Sequence, residues 1–151
     1  MMFKVVREID GKLFSAAIKN PDLKIEYIPN QWVESRIGGI LVFDNFACAT
    51  SFANNTYLQG WCWYNTQVWH CDTEGLIQLP NFRLTLTVDT REVEELWNSQ
   101  LKEPELINQA LRLRLLDYWP EGTKAYRKVK LLKKLYDTAN YPMRHSYERL
   151  Q

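Results

Sequence analysis

Residues 122–134 read GTKAYRKVKLLKK, with six bases and no acid, and the class of the fold turns on whether they wind or extend. Taken at helical period, Ala125, Val129, Leu132 and Tyr136 form an apolar stripe with Leu131 and Leu135 beside it. Arg127, Lys130, Lys133 and Lys134 then project from the opposite side. The spacing predicts an amphipathic helix from a Thr123 cap to about Asp137, with a basic outer face suited to phosphate groups.

Working back from this segment, Trp119-Pro120-Glu121-Gly122 is a break, and Pro104 at a helix start opens a Leu-rich helix to Tyr118. Asp89 followed by Glu92 resembles a capping box for a helix to about Leu101. Before residue 90 the period is two. Asp10-Gly11 joins the apolar-rich segments Phe3–Ile9 and Leu13–Ile18 as a hairpin, and Leu23–Ile28 continues an antiparallel meander. Trp32-Val33 reads as a short edge. Ile40–Phe43 reads as a strand covered on both faces, followed by a helix over Phe46–Ala53 capped by Asp44 or Asn45. Thr66–Cys71 and Phe82–Val88 read as further strands.

Strands first and helices second predict an α+β fold: an N-terminal antiparallel sheet with one intervening helix, packed against C-terminal helices. One domain is expected over 1–151, mainly strands to about 89, mainly helices over 90–138, and a tail from 139. At 151 residues one core suffices, and an aromatic share of 13% calls for a core or pocket built on large rings.

The net charge of +1 creates no whole-molecule pull toward polyanions. No run nears the 18 apolar residues of a membrane span, so no membrane partner is expected. Three cysteines without an export signal favour free thiols in the cytoplasm. The sequence carries no glycine-rich phosphate loop, no GxSxG, no HExxH and no calcium loop. Neither cofactor nor metal is expected.

The stretch GWCWYNTQVWHC, Gly60 to Cys71, concentrates three of the six tryptophans. Trp61, Trp63, Tyr64 and Trp69, with His70, form the candidate ligand-binding surface, offering rings for stacking on a base, a sugar or a partner's side chain. In a strand Gln67, Trp69 and Cys71 share one face, so His70 and Cys71 point apart, which weakens a catalytic pair. Arg127, Lys130, Lys133 and Lys134 form the second candidate surface, for nucleic acid. The Leu-rich helix is a candidate homodimer contact.

FKVVREIDGKLFSAAI, LKIEY, GGILVFDNFACATSFA, VWHC and WPEGT with VKLLK together resemble a family of small uncharacterised proteins of phages, large DNA viruses and environmental or bacterial genomes. That resemblance implies a compact α+β domain in a viral or microbial setting and transfers no catalytic residue. A second similarity, to ADP-ribosyltransferase-like folds, would give parts to Arg7, Tyr27 and Glu74. The leading expectation is a non-enzymatic binding or accessory module for nucleic acid or a nucleotide-like ligand. The alternatives are a nucleotide- or NAD-using transferase and a structural homodimer.

Overall fold

The computed structural model describes residues 1–16, 24–55, 65–80, 83–84, 94, 96–97 and 116–140. It corrects the expected class. The decisive segment, Thr123–Asp137, is a strand of 15 residues rather than a helix, and Leu116–Asp117, expected in the Leu-rich helix, is also strand. The protein is mostly antiparallel sheet, and the C-terminal helices of the α+β reading do not seal it. Of the helix expected to start near Thr90, Glu94, Leu96 and Trp97 are helical. The remainder of that helix, and of the Leu-rich one, lies outside the described residues.

In chain order the strands are β1 (Met2–Ile9), β2 (Lys12–Ser15), β3 (Glu26–Tyr27), β4 (Trp32–Glu34) and β5 (Ile40–Phe43). The helix α1 (Phe46–Asn55) follows, then β6 (Asn65–Ile77), β7 (Arg83–Leu84), β8 (Leu116–Asp117) and β9 (Thr123–Asp137). Asp10 and Gly11 both take positive φ, 51° and 78°, which is the backbone of a two-residue turn matched to strand twist. That turn fixes the β1–β2 register from Ile9↔Lys12 to Val6↔Ser15. On its other edge β1 pairs with β6, Met2↔Cys71 through Glu8↔Asn65. β6 in turn pairs with β9 over most of its length. β9 carries both β5 and β4 on its far edge, and Phe3↔Phe43 ties β5 back to β1. The pairings β1 to β6 to β9 to β5 to β1 therefore form a closed circuit. β7 and β8 make a separate two-stranded sheet.

Alternation along β1 divides the core in two. Val6, with Met2, faces a cluster of Leu13, Tyr27, Val42, Cys71, Val129 and Leu131. Phe3 and Val5 face the other way, against Ala49 and Ala53 of α1 and Val68 of β6. Asn45 caps α1 by accepting from the Cys48 amide at 3.1 Å. Ring pairs Phe3–Phe46 and Phe43–Phe52, with centroids 5.4 and 5.3 Å apart, seat the helix. Thr66 Oγ1 donates to Ala53 O at 2.9 Å, holding the last turn of α1 against the start of β6. Among the described residues no helix is long and apolar enough to cross a membrane.

The helical look of β9 has a physical origin. Val68↔Tyr136 is followed by Trp69↔Lys134, and His70↔Lys133 by Cys71↔Leu131, so Leu135 and Leu132 are extra residues bulged out of the ladder. Two insertions three residues apart break the alternation of Val129 and Leu131 and place leucines at a helix-like spacing. If β9 is the strand described, Leu131→Ala, at a fully buried position, should lower urea-derived stability by about 2–5 kcal/mol. Leu135→Ala, at a bulge that is 40% exposed, should cost under about 1 kcal/mol. Equal losses would contradict the register.

Candidate functional site

Trp69 sits on the face of β6 that looks into the first core cluster, packed against it. Directly opposite it stand Lys4 on β1 and Lys134 on β9, and cross-strand partners share a face. Trp69 is thus flanked by two lysines. The bulge at Leu135 is what turns Lys134 to this side.

A hydrogen-bonded chain fixes the indole. Trp69 Nε1 donates to Gln67 Oε1 at 2.8 Å, and Gln67 Nε2 donates to Glu8 Oε2 at 2.8 Å. Gln67 is only 1% exposed, so its amide is a built polar strut rather than a surface group. The indole's one polar atom is committed to Gln67, so what Trp69 presents elsewhere is carbon surface. These residues wall an open cavity of about 300 Å³ between the β1–β2 turn, β3 and the β6–β9 pair. Lys12, Glu26, Tyr27 and Lys134 complete its polar lining. Lys134 Nζ also reaches Asp137 Oδ2 at 3.4 Å.

Tyr27 is both cavity wall and core. Its hydroxyl lies 3.4 Å from Ser15 Oγ, and burial raises its pKa above the ordinary phenol value. Behind it, Lys4 Nζ stands 5.7 Å from the ring centroid and donates to Leu41 O at 2.8 Å. Burial lowers the Lys4 ammonium from 10.5 to about 8, the Cys71 thiol nearby opposing part of the drop. Cys71 itself is pushed up from 9.0 to about 12, mainly by burial, with Lys4 pulling the other way. A thiol so held is neutral at physiological pH and a poor nucleophile.

The candidates read from the sequence separate in space. Trp69 and Lys134 come together in the cavity. His70 faces away from Trp69, opposite Phe3 and Lys133, so neither His70 nor Lys133 joins them. Trp61, Trp63 and Tyr64 lie outside the described residues. The basic face of a helix does not exist: Arg127, Lys130, Lys133 and Lys134 are spread along a strand, about 20 Å from first to last. Lys130 stacks over Trp32 at 5.0 Å and lies 4.0 Å from Asp72. Lys128 stands between Glu34 and Glu74 in adjacent strands. Acids therefore interleave with these bases.

Arg7, Tyr27 and Glu74 do not assemble either. Arg7 pairs opposite Thr66, and Glu74 lies eight residues further along β6, about 26 Å away. Sequence reasoning missed Glu8, Gln67 and Glu26 at the cavity, and it named Tyr27 only for a transferase-like site. The available signal was Gln67, a polar residue on the face shared by Trp69 and Cys71. Among the described residues no three His, Cys, Asp or Glu side chains gather as for a metal ion. Compared with protein-family models, with curated proteins and with solved structures, the chain matches none.

Lys4 sets the pH dependence of stability. Between pH 8 and 10.5 its unfolded form holds a proton that the folded form has lost, so stability rises with pH through that window. Cys71, raised in the fold, keeps its proton while the unfolded thiol ionises above 9.0, which opposes the rise. Urea titrations should show a gain of up to about 1 kcal/mol from pH 8 to 9, flattening above. Lys4→Met should abolish the gain, and a gain that persists in this variant would rule Lys4 out as its source.

Proposed function

We propose that the protein is a small non-enzymatic binding module that holds one small ligand in the cavity walled by Trp69 and Lys134. The observation that carries this reading is the Glu8–Gln67–Trp69 chain, which orders an indole at an open cavity before any ligand arrives. Preorganised aromatic area with a few placed polar groups is the recurring makeup of ligand pockets, and about 300 Å³ lies at the small end of their range. Binding rather than chemistry fits the groups present. Gln67 does not titrate, Lys134 is ion-paired, and the versatile neighbours His70 and Cys71 face away or lie in the core. The free thiols of Cys48 and Cys71 accord with a reducing cytoplasm.

Binding of nucleic acid along β9 draws less support, because Asp72, Glu34 and Glu74 sit opposite its lysines. A panel of nucleosides, saccharides and amino acids, screened by tryptophan fluorescence and thermal shift, should contain a compound that raises the melting temperature. Trp69→Phe should weaken that shift, while Lys130→Glu should leave it unchanged. A flat response to the whole panel, or a response indifferent to Trp69, would count against the cavity as the site.

A further inference from the structure

We propose that the ligand of this cavity is a neutral, hydroxyl-rich molecule, a saccharide unit, and this rests on the cavity being the binding site. The first argument is charge. On the face that carries Trp69, the Glu8 carboxylate and the Lys134 ammonium stand at one opening, so the lining is balanced and offers no net field to draw in an anion or a cation. A phosphate carried to Lys134 would meet a base already 3.4 Å from Asp137 and would lie in an opening that also holds the Glu8 carboxylate. A nucleotide is therefore disfavoured.

The second argument is hydrogen-bond type. A hydroxyl both donates and accepts, and it is matched by a wall that alternates pure acceptors with pure donors. The carboxylate of Glu8 accepts, and the ammonium group of Lys134 donates. Glu8 spends Oε2 on Gln67, which leaves Oε1 for a ligand. A charged ligand uses only one half of such a wall, whereas a polyol uses both.

The third argument is the apolar surface between them. Trp69 has its N–H turned to Gln67, so it contributes ring carbon, and the C–H face of a pyranose is the part of a sugar that packs on such carbon. The row Lys4–Trp69–Lys134 fixes the geometry: the buried lysine lies behind the indole and the exposed one beside the opening. Leu13 and Ile28 widen the apolar part of the wall. The volume suits one or two sugar rings, not a long chain.

Neutral mono- and disaccharides should be titrated into the full chain, read by tryptophan fluorescence and by isothermal calorimetry, beside nucleotides and amino acids. At least one neutral saccharide should bind, with affinity changing less than about twofold between low and high salt. Trp69→Ala and Glu8→Gln should each weaken it by about tenfold, and Lys133→Glu, on the opposite face, by less than about twofold. Glu8 is only partly buried and a Gln there can still accept from Gln67, so Glu8→Gln tests the idea even if Trp69→Ala fails to fold. Trp69-dependent binding of a nucleotide or an amino acid with no saccharide bound would overturn the sugar and leave the cavity standing. Binding by nothing in either set, or binding untouched by both cavity variants, would overturn both.

Discussion

The long antiparallel pairing of β6 with β9, and the two residues by which β9 exceeds its partner, is the constraint on which the rest of the structure depends. β6 connects β1 to β9, and β9 carries β4 and β5. Without that pairing only the single Phe3↔Phe43 bridge would join β1 to the β5–β9–β4 half of the sheet. The extra residues Leu132 and Leu135 add twist where the circuit has to turn. They also reset which side chains look inward. Because of them Lys134 shares a face with Trp69 while Lys133 shares one with His70, so the bulges that bend the sheet also compose the cavity.

The inner face of this sheet is not purely apolar. Lys4 sits in it with its ammonium on the Leu41 carbonyl, near a neutral thiol and a buried phenol. Burial disfavours the charged form of that amine, and its hydrogen bond to the Leu41 carbonyl and the face of Tyr27 compensate in part. Gln67 is the second polar group in the same layer, and it is satisfied on both sides. A polar layer that works only in one arrangement ties the register of β1, β6 and β3 to a single solution.

Much of this was legible residue by residue where local chemistry is decisive. Asp10-Gly11 permits positive φ at both positions and so announces its hairpin. Asn45 announces the start of α1, and the unbroken apolar run Ile40–Phe43 announces burial on both faces. β9 was illegible for a stated reason: bulges are set by the partner strand, and the partner is not visible in β9 itself. Its leucines at 131, 132 and 135 satisfy a helical wheel as well as they do a bulged ladder. The site shows the same division. Trp69 and Lys134 were each conspicuous as residue types, but their meeting is a matter of register. Glu8 looks like an ordinary strand-surface acid until the register sets it against Gln67.

The ends of the seven-stranded sheet are β3 and β4, of two and three residues. A newcomer strand adding beyond β3 or β4 would find only that much backbone to bind. At the β4 end it would also meet Glu34 and the ammonium of Lys130 stacked on Trp32. Brevity and charge at a border are how natural sheets discourage fibril-like stacking. A chain so rich in strand thereby gains protection from self-templating at these two margins.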